Sequence, residues 1–317
     1  MNSTISRINT SIINAFPKAF KTIIWLLKII LPISLGVSLL QYWGIIAALS
    51  VYLTPLFSLV GLPGESAIVF ITSIFMALYA PIAIITTLPL EIREITILAL
   101  MCLISHNLIV ETAVQKKTGS SALIMFSLRI ISSFVTAFIL NKILPMNMGH
   151  EKIVEQSVTY TDLGSMLLGW LKSSGWLTLK ISLIITGLMI LQNILKEFNI
   201  LDLLSKIFAP FMKVMGLSKN SSFLWFVAQI LGLTYGSAVM IEEVENKEIS
   251  PYDADLLNYH VAVNHSLLED TLLFAAIGVP VLWMIIPRFI LAVIILWSVH
   301  GIRSLRRQFS HPEAETI

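Results

Sequence analysis

Long apolar stretches separated by short polar ones run through most of the chain, and their order repeats in a first and a second half. A membrane-spanning helix needs about 20 mainly apolar residues. Six stretches meet or approach that requirement: Phe20–Tyr42, Ile95–Ala113, Ala122–Leu144, Trp176–Leu195, Leu256–Gly278 and Val279–Val299. The pattern therefore predicts an all-α integral membrane protein.

Two further apolar stretches in each half do not read as simple spanning helices. Ala67–Leu90 is interrupted by Pro81 and Pro89, and Phe223–Ile241 contains Gly232 and Gly236. Each predicts a broken segment, either a re-entrant hairpin or one kinked spanning helix. Before them lie a short apolar stretch and a lysine-bearing amphipathic one, which predict interfacial helices: Ile45–Val60 and Phe198–Met215.

The polar residues inside the apolar stretches reveal an internal repeat. The stretch SHNLIVET begins at Ser105, and NHSLLEDT begins at Asn264. Five pairs in and around them lie 159 residues apart: His106 and His265, Glu111 and Asp270, Thr112 and Thr271, Gly119 and Gly278, and Arg129 and Arg288. Such a match predicts two copies of one structural unit.

Positive charge indicates how the two copies are oriented. If each broken segment enters and leaves on one side, each copy crosses the membrane three times and the second copy is inverted. Placing the N-terminus inside puts most lysines and arginines in the cytoplasm, as the positive-inside rule requires. The sequence therefore predicts a multi-pass protein of the cell membrane with both termini cytoplasmic. Residues that fit less well are Arg93, Lys142, Lys152 and Lys172.

The predicted fold class is thus two inverted-topology repeats, each with spanning helices, an interfacial helix and a broken or re-entrant hairpin segment. The predicted divisions follow the repeat: a cytoplasmic N-terminal segment at 1–19, membrane repeat 1 at 20–146, a polar linker at 147–169, membrane repeat 2 at 170–300 and a cytoplasmic tail at 301–317.

Composition supports the membrane assignment and excludes several functions. The chain is 56% hydrophobic and 13% charged, against about 25% charged in soluble domains. A net charge of +2 does not indicate a nucleic-acid partner. The single cysteine, Cys102, excludes a disulfide framework. No phosphate-binding glycine loop, His-Glu-x-x-His motif or nucleophile elbow is found, so the sequence does not predict an enzyme.

Charged groups in the spanning stretches are the first candidates for a functional site. Glu111 and Arg129 flank Gly119 at eight and ten residues, so a tight turn there places both side chains at similar depth. Asp270 and Arg288 repeat this arrangement around Gly278. Each pair predicts either a structural ion pair or a carboxylate that arginine keeps ionised for function. Glu269 joins this group of candidate proton or ion-pair residues.

The histidines and the polar residues beside them are candidates for binding a solute. His106 and His265 occupy equivalent positions, and Asn107 and Ser266 follow them directly. In the loop GLPGESA, Glu65 and Ser66 either stabilise a helix start or sit at a hairpin tip where they contact a solute. The equivalent tip residues are Asn220 and Ser221.

These motifs resemble those of the nucleoside recognition (Gate) domain proteins. That family includes the spore maturation proteins and is distantly similar to concentrative nucleoside transporters and the ferrous-iron permease. The resemblance rests on GLPGESA, the broken helix behind it, and SHNLIVET with NHSLLEDT, and covers Phe20 to Val299. It implies re-entrant hairpins and a nucleoside contacted through Glu65, Ser66 and Asn107. The transporters' sodium-site sequence and the iron permease's cysteine motifs are not found.

The sequence therefore predicts a secondary transporter of a small polar solute, a nucleoside being one candidate, that works by alternating access at a midplane site. The predicted partners are the lipid bilayer and a small-molecule solute, and association of identical chains is left open. No cofactor and no metal site is predicted, and a proton is the candidate coupling ion. The alternatives are a divalent-cation permease and a non-transporting membrane partner of the spore-maturation type.

Overall fold

The computed structural model of the chain describes residues 2–148, 162–230 and 232–310. Within these ranges the protein is 82% helical and contains no strand, so the all-α prediction is confirmed. The first half forms seven α-helices: α1 (Asn2–Tyr42), α2 (Ile45–Ser58), α3 (Ser66–Phe75), α4 (Tyr79–Ile85), α5 (Ile92–Ser105), α6 (Leu108–Lys117) and α7 (Ala122–Ile143).

The second half forms the same number of α-helices in the described ranges. They are α8 (Leu163–Glu197), α9 (Ile200–Phe208), α10 (Ser222–Ile230), α11 (Gly232–Glu245), α12 (Pro251–Val263), α13 (Glu269–Ala275) and α14 (Val281–Ser310). Two 3₁₀ turns, Ala209–Lys213 and Lys219–Ser221, connect α9 to α10. The predicted linker at 147–169 lies largely outside the described residues, as do residues 311–317 of the predicted tail. The predicted segment 1–19 continues directly into the rest of α1.

Five described helices or helix pairs are long and apolar enough to cross a membrane. They are Thr4–Tyr42, Ile92–Lys117, Ala122–Ile143, Leu163–Glu197 and Val281–Arg306. The sixth predicted span, Leu256–Gly278, is divided into α12 and α13, neither of which reaches spanning length. The protein is accordingly a multi-pass membrane protein with a broken helix where the sequence suggested a continuous one.

Left-handed backbone conformations recur at the spacings of the sequence repeat. Residues with a side chain rarely adopt a positive φ, because the Cβ approaches the backbone too closely. Positive φ values occur at two pairs of positions that lie 155 apart and at two pairs that lie 159 apart: Gly44 with Asn199, Gly61 with Gly216, Asn107 with Ser266, and Gly119 with Gly278. The chain therefore makes the same turns at corresponding points of its two halves.

Equivalent helix starts are also conserved in position, although different residues cap them. The first residues of α5 and α12 lie 159 apart. A reciprocal capping box of Glu91 and Glu94 opens α5, whereas the Ser250 hydroxyl accepts the Asp253 N–H at the start of α12. Both devices satisfy backbone donors that a helix start leaves unpaired.

The two halves pack against each other along several helices. The long helices α1 and α8 lie side by side, and Trp170 donates a hydrogen bond to Ser34 between them at 3.0 Å. α12 packs on α5 and α7, and α14 packs on α5. As a result α5 is enclosed, and every side chain from Ile95 to Ser105 is fully buried. The polar ends of α5 and α12 therefore meet inside the protein.

Candidate functional site

The buried polar residues of the candidate site begin at the C-terminal end of α5. The sequence suggested one helix through Ile95–Ala113, but Asn107 adopts a left-handed conformation with φ of 48° and separates α5 from α6. The Asn107 N–H donates to the Ser73 carbonyl at 2.7 Å, at the end of α3. In the second half Ser266, also with φ of 48°, separates α12 from α13 and donates to the Ala228 carbonyl of α10 at 3.0 Å. Each break is thus held by the end of a neighbouring helix.

Buried arginines satisfy the carbonyl groups that the two breaks release. The Arg129 side chain, from α7, donates to the Ile104 carbonyl and to the His106 carbonyl, both at 2.7 Å. The Arg288 side chain, from α14, donates to the His265 carbonyl at 3.2 Å and to the Thr271 hydroxyl at 2.9 Å. Because unpaired backbone carbonyls are costly inside a membrane, both arginines stabilise broken helices at equivalent positions.

His106 and His265 face each other at the interface between the two halves. His106 Nδ1 lies 3.2 Å from the Cys102 carbonyl, and His265 Nδ1 lies 2.7 Å from the Val261 carbonyl. A carbonyl can only accept, so we assign the ring hydrogen to Nδ1 in both neutral imidazoles. The two Nε2 atoms then present lone pairs to each other across 3.4 Å.

Two carboxylates approach this pair of nitrogen atoms. Glu111 Oε1 lies 3.3 Å from His106 Nε2 and 3.4 Å from His265 Nε2, while Glu111 Oε2 pairs with Arg129 Nη1 at 2.6 Å. Asp270 Oδ2 lies 3.6 Å from His106 Nε2. All four side chains are buried. We refer to His106, His265, Glu111 and Asp270 as the central cluster.

The expected pairing of carboxylate and arginine is formed in only one half. Glu111 and Arg129 form an ion pair, but the described residues contain no ion pair between Asp270 and Arg288 within 4.0 Å. The physical reason is that the donors of Arg288 are directed to the Met284 carbonyl, the His265 carbonyl and the Thr271 hydroxyl. Asp270 Oδ2 is consequently buried without a hydrogen-bond partner among the described residues.

Glu269 lies next to the central cluster in sequence but has its own partner. The Tyr79 hydroxyl, at the start of α4, donates to Glu269 Oε1 at 2.6 Å. This bond joins the broken segment of the first half to α13 of the second. The sequence predicts a broken segment interrupted at Pro81, two residues after Tyr79, but Tyr79 is not among the predicted site residues. A tyrosine at a break in an apolar segment is the signal that could have identified it.

The predicted tip residues lie away from the central cluster. Ser66 begins α3, seven residues before Ser73, which corresponds to about 10 Å along a helix. Its hydroxyl is buried without a hydrogen-bond partner among the described residues. Glu65 precedes it and is only partly buried. Asn220 is exposed, and Ser221 is buried with its hydroxyl 3.0 Å from that of Ser218. None of these four residues forms a hydrogen bond or ion pair with His106 or His265 in the part of the chain that the structure describes.

The backbones of Asn107 and Ser266 both hold the start of a short helix. Asn107 precedes the first turn of α6, and its carbonyl accepts the Glu111 N–H at 3.0 Å. The Ser266 carbonyl accepts the Asp270 N–H in the same way at 3.1 Å. Both residues therefore fix the start of the short helix that carries a carboxylate of the central cluster.

The arrangement is suited to holding a cation or a polar group where the two halves meet. It offers two imidazole lone pairs and two carboxylates, and none of the arginines and lysines that the structure describes lies within ion-pair distance of Asp270. Burying a carboxylate is costly unless a positive group or hydrogen-bond donors compensate it. A cation or a donor-bearing solute at this place would supply that compensation.

Comparison with known proteins agrees with the membrane fold and with two similar halves. The family model described as nucleoside recognition (Gate) matches residues 23–146 and 178–297. The chain therefore belongs to the Gate family of membrane proteins. It is also 33% identical over 285 residues to the uncharacterized membrane protein YvoD of Bacillus subtilis strain 168, covering 88% of this chain and 91% of that protein. No solved structure matches the chain.

Proposed function

We propose that the protein is a secondary transporter that moves a small polar solute across the cell membrane. The observation that carries this proposal is the approach of His106 and His265, one from each half, to 3.4 Å between their Nε2 atoms inside the protein. Ionisable groups are rare at such depth and usually mark a path for solutes or ions. The family description, nucleoside recognition, makes a nucleoside the first solute class to test.

The broken helices support transport rather than a purely structural role. In secondary transporters, discontinuous helices place backbone carbonyls and helix ends around a substrate site. Here two breaks, at Asn107 and Ser266, lie beside the central cluster, and each contacts a second helix end. Alternating access would then result when one half moves relative to the other and opens the central cluster to one side at a time.

The proposed architecture is a pair of inverted repeats with both termini in the cytoplasm. Support comes from the charges of the turns: Lys116 and Lys117 precede the turn at Gly119, whereas the equivalent turn at Gly278 has no charged residue beside it. The α3–α4 and α10–α11 segments would be the re-entrant hairpins. Lysines favour the cytoplasmic side, so the two turns should lie on opposite faces.

Cysteine labelling in intact cells tests the inversion. Ser121 and Val281 are exposed residues at the starts of α7 and α14. We expect Val281→Cys to react with a membrane-impermeant maleimide from outside and Ser121→Cys to react only after permeabilisation. The unmodified chain is the matched control, because its single cysteine, Cys102, is fully buried. Labelling of both positions from the same side would exclude the inverted arrangement.

Uptake into proteoliposomes tests transport itself. The purified full-length chain should accumulate at least one solute from a panel of radiolabelled uridine, adenosine, cytidine and guanosine above protein-free vesicles. Excess unlabelled solute should abolish that accumulation, because a saturable site is involved. If no nucleoside is taken up, nucleosides are excluded as the solute and other small polar molecules are tested in the same assay. If chains that rescue a deletion strain transport nothing, the non-transporting partner function is favoured instead.

A further inference from the structure

We propose that His106, His265 and Glu111 form a binding site for a divalent transition-metal ion such as Zn²⁺, Mn²⁺ or Co²⁺, with Asp270 as a fourth ligand. This proposal names the class of cation that the central cluster binds. It rests on the proposed function only for the role of the bound ion in transport. Binding itself requires no transport. Three distances, two ring orientations and one unpartnered oxygen atom support this site.

The three ligand atoms form a triangle of the size that a transition-metal ion requires. The edges are 3.4 Å between the two Nε2 atoms, 3.3 Å from His106 Nε2 to Glu111 Oε1, and 3.4 Å from His265 Nε2 to the same oxygen. A point equidistant from three atoms with such edges lies about 2.0 Å from each, which is the usual length of Zn–N and Zn–O bonds. The triangle therefore fits a transition-metal ion.

The same distances fit hydrogen bonds poorly. Charge-assisted bonds between nitrogen and oxygen normally measure about 2.7–2.9 Å, well below the 3.3 Å and 3.4 Å observed here. The two Nε2 atoms are both acceptors in the assigned tautomers, so nothing joins them across 3.4 Å. A shared proton would draw one pair together, whereas a metal ion holds all three atoms at this separation.

Hydrogen bonds and an ion pair to neighbouring groups fix the orientation of the three ligand side chains. Each imidazole presents Nε2 because its Nδ1 donates to the carbonyl four residues earlier, Cys102 for His106 and Val261 for His265. The second oxygen of Glu111 is held by Arg129. Histidine ligands of metals commonly donate their other ring N–H to a carbonyl or carboxylate, which fixes the ring. The cluster has this arrangement in both halves.

Asp270 offers a fourth ligand atom close to the triangle. Its Oδ2 atom is buried and has no hydrogen-bond partner among the described residues, yet it lies 3.6 Å from His106 Nε2. One ligand atom each from His106, His265 and Asp270 lies within 4.8 Å of the others. A small movement would bring this oxygen to a fourth position. Two imidazoles with carboxylates favour transition metals over Na⁺, Mg²⁺ or Ca²⁺, which prefer oxygen ligands alone.

Titration of tag-free, chelator-treated protein in detergent with Co²⁺ tests the site. We expect about one Co²⁺ per chain, with the visible absorption of a low-coordinate nitrogen and oxygen site, and its displacement by Zn²⁺. His265→Gln and Asp270→Asn should each weaken Co²⁺ binding by at least about 10–100-fold. His300→Gln is the matched control, because His300 contacts the Gly216 carbonyl and lies outside the central cluster; its affinity should be unchanged.

The outcomes separate this inference from the proposed function. Loss of Co²⁺ binding in His265→Gln or Asp270→Asn, with unchanged elution volume and melting temperature, supports the site even if no solute is transported. Absence of Co²⁺ binding in the unmodified chain, or equal affinity in His265→Gln and His300→Gln, overturns it and leaves solute transport to be judged by uptake alone. If His265→Gln does not fold, Asp270→Asn decides the question, because Asp270 Oδ2 loses no hydrogen bond.

Discussion

Glu111→Gln is expected to reduce the free energy of unfolding by about 3–5 kcal/mol, the usual cost of removing one partner from a buried ion pair. Arg129 is fully buried, and its Nη1 atom lies 2.6 Å from Glu111 Oε2. Glutamine retains the size of the side chain but leaves the guanidinium charge unpaired. Because Arg129 also holds the carbonyls of the α5–α6 break, its displacement would disturb the helix end as well.

Asp270→Asn is the matched control for this prediction, since it removes the equivalent carboxylate from the other half. Asp270 forms no ion pair with Arg288, and its Oδ2 atom has no hydrogen-bond partner within the described ranges. We expect a destabilisation of at most about 1 kcal/mol, typical of a mild substitution. Equilibrium unfolding in mixed detergent micelles measures both variants. Equal losses for the two would contradict the asymmetry described above.

His106→Gln is expected to lower solute uptake into proteoliposomes by about 10–100-fold, the range seen when a metal site loses an ordering group. His106 Nε2 lies within 3.6 Å of three groups: His265, Glu111 and Asp270. No other described side chain makes that many contacts inside the central cluster. Its loss should therefore affect the site more than any change at the predicted hairpin tips.

Glu65→Gln and His300→Gln serve as comparisons in the same uptake assay. Glu65 is partly buried and lies at the start of α3, and His300 contacts the Tyr252 hydroxyl and the Gly216 carbonyl, outside the central cluster. We expect both variants to retain uptake within about twofold of the unmodified chain, as surface substitutions usually do. If Glu65→Gln lost most of its uptake while His106→Gln kept nearly normal uptake, the solute site would lie at the hairpin tip instead of the central cluster.

The central cluster illustrates what the repeat could reveal before the structure. His106 and His265 could be selected because a fixed spacing of 159 residues placed them at equivalent positions. Two equivalent positions meet when two copies of a unit pack about a common axis and those positions lie close to that axis. The contact of Glu111 with Arg129 could also be anticipated, because helices joined by a tight turn at Gly119 bring residues at similar distances from the turn together.

Other features could not be read from the apolar pattern. Asn107 and Ser266 lie within stretches that are apolar enough to continue as helices, and a single left-handed residue changes neither hydropathy nor period. The contact from Tyr79 to Glu269 joins residues 190 apart and depends on packing between halves. Likewise, Arg288 meets the Thr271 hydroxyl rather than Asp270 because of local side-chain geometry. Spacing along a chain does not determine such choices.

The enclosure of α5 limits how the protein can change shape. Its side chains from Ile95 to Ser105 touch neither lipid nor water, and interiors packed to this degree shift between discrete arrangements rather than deform smoothly. Because neighbouring helices enclose α5, it cannot slide without moving some of them. Any gating movement should therefore shift α5 as a rigid unit together with the other helices of the first half, rather than alone.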